Sequence, residues 1–277
     1  MAQVSISSFA LLVSLNISQW SARKYDRKVS DEAARAHAAS KDAGRFNKLL
    51  IPAVELKPVQ QAARVAVAYH NLTALSWDDN GGRILPSAIF AEYSAAMRKH
   101  RLEFERTADE FTANYPQLVQ DARKHLGTMY DPRDFPPDIR SKFSFKVSCL
   151  PMPSADDFRV SLNGDALAFV KEQATQEIND RVDRAVKELF SRAREIVNTI
   201  YEQTGIKDRK IFDSSIENAR RFVELLPALN LTKNSLLLQA ESDIRALLVD
   251  PEKLRKSPTL RKAIAKAAEE TLAKLEC

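Results

Sequence analysis

Six glycines are spread through 277 residues, roughly a third of ordinary usage, and that shortage restricts the chain more than any motif it carries. Glycine-rich phosphate loops, Rossmann turns and hairpin-dense sandwiches need positive φ or close backbone approach, which glycine supplies. The six, Gly44, Gly81, Gly82, Gly127, Gly164 and Gly205, fall at expected turns or helix boundaries. With 44% hydrophobic and 29% charged residues, the composition describes an ordinary core under a heavily solvated exterior, a balance typical of long amphipathic helices. The chain reads as α+β and predominantly helical: long antiparallel or coiled-coil helices with a small antiparallel sheet of about three strands.

Alternation of period two marks the strands. Phe9, Leu11, Val13, Leu15 and Ile17 alternate with Ser14, Asn16 and Ser18, which predicts a strand over 8–19. Phe143, Phe145, Val147 and Cys149 predict a second over 143–149, and Phe158, Val160 and Leu162 a third over 158–162. The LPMPSADD connection would pair these last two through a loop longer than a tight hairpin. Ser30, followed by Asp31 and Glu32, reads as the start of a short helix, and a second helix runs from Lys57 to about Leu72.

Two long helices dominate the expectation. Pro86 and Ser87 open one in which Phe90, Met97, Phe104 and Phe111 recur every seven residues, a stripe facing a partner helix, until Pro116 ends or kinks it near Asn114 and a shorter segment continues to Leu126. The other runs from about Ala166 to Gln203, with Ile178, Val182, Ala185, Leu189, Ala193, Ile196 and Ile200 on one stripe. At roughly 57 Å it would outrun a compact core, so its stripe needs the other helix or a second subunit along its length. Shorter helices follow over 212–227, 233–249 and 258–275, punctuated by Pro227, Pro251 and Pro258. This divides the chain into an α+β region over 1–165 and an all-helical region over 166–277.

Lys and Arg total 42 against 37 Asp and Glu, a net charge of +5 that attracts polyanions weakly. Cys149 and Cys277 cannot form a disulfide framework or a four-cysteine zinc site, which fits a reducing cytoplasm. The apolar N-terminal stretch has no basic residue before Arg23 and is interrupted by polar residues, so it reads as neither signal peptide nor membrane span.

Catalytic signatures are missing. The chain contains no GxGxxG, GxxxxGK[ST], HExxH, CxxC or GxSxG, and it reads as non-enzymatic, with no catalytic residues, no metal ligands and no cofactor. His37, His70, His100 and His125 are scattered and read as surface or packing residues. Asp78, Asp79 and Asn80 before Gly81 and Gly82 lack EF-hand spacing and read as a tight turn between two helices. Asp131, Asp134 and Asp138 lie among prolines that form a rigid extended connection into the strand at Phe143.

One segment carries a binding signal. Trp20, Arg23, Lys24, Tyr25, Arg27 and Lys28 interleave four cations with two aromatics directly after a strand, the combination that single-stranded nucleic acid needs: positive charge for phosphates, flat rings for bases. The same segment also reads as an exposed strand end in which Trp20 and Tyr25 cover a sheet edge. Other basic groups, at Arg98, Lys99 and Arg101, at Arg123 and Lys124, and at Lys253, Arg255, Lys256, Arg261 and Lys262, read as solvated helix faces.

The segments LSWDDNGGRILP (75–86), MYDPRDFPPDIRSKFSF (129–145) and FDSSIENARRFVELLPALNLT (212–232), in this order, resemble a family of uncharacterised proteins from tailed phages and prophages, over roughly residues 70–250. They carry no active-site chemistry, so no residue role is transferred. The whole layout is similar to Drc-like phage proteins, single-stranded-DNA-binding, nucleoid-like factors of genome replication. That resemblance implies an early phage protein in the host cytoplasm. The expectation is a sequence-independent binder of single-stranded DNA in phage replication or recombination, forming a homo-oligomer through its long helices and not binding membranes. The alternative is a coiled-coil scaffold that binds another protein, such as a host factor, through stripe positions including Met97 and Phe104.

Overall fold

The chain is described by a computed structural model covering residues 6–154, 164–206 and 209–275. Its α+β, predominantly helical class is as the composition and periodicities indicate, with 69% of the described residues helical. The elements are β1 (Ala10–Ser18), β2 (Arg23–Tyr25), α1 (Arg27–Ala36), β3 (Asn47–Leu49), α2 (Lys57–Thr73), β4 (Leu75–Ser76), β5 (Gly82–Pro86), α3 (Phe90–Leu126), β6 (Ser144–Pro151), α4 (Gly164–Gly205), α5 (Asp213–Leu229), α6 (Ser235–Leu247), α7 (Pro251–Lys256) and α8 (Pro258–Lys274). Two compact units form, one from Met1–Ser14, His70–Tyr93 and Ser148–Cys277, the other from Leu15–Tyr69 and Ser94–Val147. They interleave along the chain instead of following one another as 1–165 and 166–277.

The main sheet has the order β4-β5-β1-β6, and β1 runs antiparallel to β5, from Ala10 opposite Pro86 to Ser14 opposite Gly82. The turn at Asp78 to Gly82 therefore joins two strands, not two helices. Ile84, Leu85 and Pro86 are all buried. Such a short unbroken apolar run has no period of two and is easily taken for the start of a helix. The same sandwiching blurs β1, a central strand in which Ala10 and Val13 are both buried although they fall on opposite phases of the alternation, while Phe9 is exposed. The expected strand over 158–162 lies outside the described residues.

In the first unit, α4 packs chiefly on α8, with α5 and α6 completing the core. Its buried positions are Ala185, Leu189, Ala193, Val197, Ile200, Gln203 and Thr204, so the stripe is fully covered from Ala185 onward, with Ile178 before it only partly buried against the core. Phe222, Leu226, Leu237 and Ile244 belong to the same buried cluster. The partner expected from the other long helix or from a second subunit is thus supplied by the C-terminal helices. The last turn of α2 is capped by two guanidinium groups: Arg83 donates to the Ala74 carbonyl at 2.8 Å, and Arg192 to those of Asn71 at 2.7 Å and Ala74 at 3.0 Å. Cations there satisfy orphan carbonyls and complement the negative end of the helix dipole. Glu188 joins them, accepting from Arg83 at 3.1 Å and from the Ser76 amide at 2.7 Å.

In the second unit the heptad stripe of α3 is filled by rings. Phe104 packs on Phe145 at 5.7 Å, tilted, and Phe111 on Phe143 at 5.5 Å, edge on, so the stripe faces residues leading into and along β6 and not a partner helix. Met97, Phe104 and Phe111 are buried, whereas Phe90 is 37% exposed. Pro116 does not stop α3, which continues to Leu126. A mid-helix proline costs about 3 kcal/mol. Burial of Tyr115, Ala122 and Leu126 beyond Phe111, each large apolar side chain contributing roughly 1.5–3 kcal/mol, offsets that cost.

Candidate nucleic-acid interface

The candidate segment lies wholly in the second unit and folds as a turn, a short strand and the opening of a helix. Ala22 makes the turn with φ at 53°, fully buried, and its carbonyl accepts from the Leu50 amide at 2.8 Å. β2 then pairs antiparallel with β3: Arg23 opposite Leu49, Lys24 opposite Lys48, Tyr25 opposite Asn47. α1 begins at Arg27 and not at Ser30, because Asp26 is the N-cap, its side chain accepting from the Val29 amide at 3.1 Å. Arg27 and Lys28 consequently stand in the first helical turn, both exposed.

Ser30 has a different part from the cap expected of it. Buried, it donates to the Asp26 carbonyl at 2.7 Å and accepts from the Phe46 amide at 2.9 Å. The Phe46 carbonyl in turn accepts from the Asp26 amide at 3.0 Å. Both backbone groups of Phe46 are therefore fixed against the start of α1.

This pairing brings two residues to the site that the sequence reading missed. Tyr25 is 45% exposed and Phe46 39% exposed, and the Arg45 guanidinium lies over the Tyr25 ring at 6.0 Å. Arg23, Lys24 and Arg45 are exposed on the same short ribbon. Trp20 stands apart. Half-buried, it packs at 6.2 Å from Phe111 and 5.7 Å, edge on, from Tyr115, so the structure uses its ring to anchor the segment to α3. Of the two aromatics singled out in sequence, Tyr25 is the one with an open face, and Phe46 takes the second place.

Beneath the ribbon sits Lys48, 6% exposed, whose ammonium contacts Asp134 at 2.7 Å and Asp26 at 3.3 Å and donates to the Met129 carbonyl at 2.7 Å. Burial works against its charge, but Asp134 and Asp26 outweigh that and hold its pKa above the ordinary lysine value. The Asp26 carboxyl lies below its usual range through the Val29 amide, against the cost of burial, with Lys48 adding to the effect. The connection 129–143 is thereby tied to the root of α1. It is a series of short 3-10 turns, over Pro132–Asp134 and Arg140–Lys142, instead of a rigid extended strap. Its three aspartates all have structural partners: Asp131 accepts from the Arg133 amide, Asp138 from that of Ser141, and Asp134 holds Lys48.

The remaining candidates resolve in the same way. Asp78 Oδ1 accepts from the amides of Asn80 and Gly82, both at 2.9 Å, and so organises the hairpin turn. His70 is buried with its Nδ1 2.7 Å from the Tyr93 hydroxyl, His100 packs on Tyr69 at 5.3 Å, and His37 and His125 are exposed. Arg101 pairs with Glu105, one turn on along α3. Among the described residues, no group of three His, Cys, Asp or Glu is placed to hold a metal ion, and no helix is long and apolar enough to cross a membrane. Met97 and Phe104, the stripe positions of the scaffold alternative, are interior. Compared with known proteins, the chain matches no family model, no curated protein and no solved structure.

Proposed function

We propose that the chain is a non-enzymatic binder of single-stranded DNA without sequence preference, acting in phage DNA replication or recombination, and that the β2–β3 ribbon with the first turn of α1 is its binding face. The observation that carries this reading is the exposure of two rings, Tyr25 and Phe46, and of five cations, Arg23, Lys24, Arg27, Lys28 and Arg45, on and beside one short ribbon, with Arg45 lying over the Tyr25 ring. Rings accept any base on their π-faces, and cations neutralise phosphates regardless of sequence. The ribbon is held from below by the Lys48 ion pairs and by the Ser30 bonds to Phe46 and Asp26, so little ordering cost falls on binding. Trp20 fixes the entry to the ribbon.

The test is titration of a fluorescein-labelled oligothymidylate at 50 and 200 mM salt. Five engaged cations give a log-log salt slope of about −3.5 and a hundredfold loss of affinity, roughly, across that range. Tyr25→Ala weakens binding by about tenfold at either salt, a stacking loss, whereas Arg23→Glu with Lys24→Glu also flattens the slope by about 1.4. A chain that stays unbound at low salt overturns the reading.

A further inference from the structure

We propose that a second site, in the first unit, binds a nucleotide: a groove of about 570 Å³ lined by Lys210, Phe212, Arg255 and Arg261, with the phosphate on the three cations and the base on the Phe212 ring. This site is separate from the β2–β3 ribbon and does not rest on it. Its volume is in the range of small-molecule sites.

The segment leading into α5 alternates. Ile211 is buried at 5% exposure, whereas Lys210 and Phe212 on either side of it are exposed, Phe212 at 52% and in extended backbone. The backbone at Phe212 is held by Gln203, buried in α4, whose Oε1 accepts from the Phe212 amide at 3.1 Å while its Nε2 donates to Ser215 at 2.7 Å. A large ring held open to solvent beside cations offers a stacking face that needs no rearrangement.

The two arginines are held before any ligand arrives. Arg255 donates through Nη2 to the Ile211 carbonyl at 3.0 Å and to the Asp213 carboxylate. Arg261 donates through Nη2 to the carbonyls of Gln203 at 2.9 Å and Arg209 at 3.0 Å. A guanidinium has five N–H donors, and among the described residues the Nε and Nη1 groups of both arginines have no protein acceptor. Arg209, also lining the groove, is paired with Glu202 at 3.1 Å. Among the described residues the lining of this groove carries four cations and one carboxylate, Asp213, while Glu202 pairs with Arg209; Glu217, Asp250 and Glu252 line the adjoining groove on the other side of Arg255. Fixed guanidinium donors with free N–H groups match the oxygens of a phosphate, and Lys210 adds a mobile charge.

The experiment is calorimetric titration of the full chain with AMP, with adenosine and with inorganic phosphate, beside the labelled oligothymidylate. AMP is expected to bind more tightly than either fragment. Phe212→Ala lowers AMP affinity about tenfold and leaves phosphate binding unchanged, and Lys210→Glu lowers both. Lys210 and Phe212 are exposed, so thermal unfolding of these variants matches the parent. If AMP fails to bind at millimolar concentration while both substitutions weaken the oligothymidylate, the nucleotide is a unit of a strand; AMP binding identifies a free nucleotide. The proposal is overturned if AMP does not bind and neither substitution changes oligothymidylate affinity, or if AMP binds no better than phosphate. Arg23→Glu with Lys24→Glu leaves AMP binding unaltered, so failure of the ribbon and failure of the groove give different results.

Discussion

Acid should destabilise the first unit through one residue, His70. It is 4% exposed, its Nδ1 is 2.7 Å from the Tyr93 hydroxyl, and its ring is 5.9 Å from that of Tyr93. Burial, with Arg83 as a lesser cause, lowers its pKa from 6.5 to about 4. Arg83 is itself balanced by Glu188 and accompanied by Arg192, so no carboxylate is left over to welcome an imidazolium. In the unfolded chain the same imidazole takes up a proton near pH 6.5. The unfolded state therefore binds more protons between pH 6.5 and 4, and stability present above 6.5 is lost as the pH falls through that window. The gap of about 2.5 pKa units corresponds to roughly 3 kcal/mol in all, of which about 2 kcal/mol is lost between pH 7 and pH 5. With a urea m-value of about 3 kcal/mol per molar, the unfolding midpoint falls by roughly 0.6 M. Urea unfolding at pH 7 and pH 5 measures this, with His70→Gln as the reference that cannot gain a proton. The reasoning is refuted if both chains lose equal stability, or if the His70 imidazole titrates near 6.5 by NMR in the folded protein.

Further outcomes follow from other contacts. Lys48→Met leaves Asp134 and Asp26 facing each other without a cation and should cost about 2 kcal/mol, less than a deeply buried pair, measured by thermal unfolding. The same variant should weaken oligothymidylate binding even though Lys48 is inaccessible, because the ribbon loses its support; unchanged affinity would separate the two. Gly81→Ala places a side chain at φ 87° and should destabilise by about 1 kcal/mol in urea unfolding. Ala22→Val forces a β-branched side chain into the left-handed region at a fully buried turn, and its loss of stability should exceed that of Gly81→Ala in the same assay.

The long helices were legible because their periodicity is local. Ala185, Leu189, Ala193 and Ile200 are buried where the spacing puts them, and Val197 takes the place read for Ile196 by a drift of one residue around the helix. What covers a stripe is not local. Nothing in α4 distinguishes a second subunit from α8, which is more than fifty residues away in the chain. Nor does anything in Phe104 and Phe111 show that Phe145 and Phe143 will fill the stripe. Pro116 shows the same limit: its local cost leaves open whether it ends or only kinks the helix, while the burial that carries α3 on to Leu126 belongs to tertiary packing.

The candidate site divides along the same line. Arg23, Lys24, Tyr25, Arg27 and Lys28 are contiguous, and their exposure follows from a two-stranded ribbon that shields little of its surface. Arg45 and Phe46 reach it only through the pairing of β2 with β3, across the whole of α1. A signal existed: Asp26, an N-cap residue directly after the aromatic-basic run, ends the strand and starts a helix short enough to return the chain beside it. In the groove of the first unit, Arg255 and Arg261 look like solvated charges by helix position, yet both are turned onto backbone carbonyls of the segment before α5. A cation's role is set by which carbonyls and carboxylates reach it, and that depends on contacts between distant segments. Basic residues are therefore a weak guide to a binding site in sequence, and become informative where the fold fixes them beside an exposed ring.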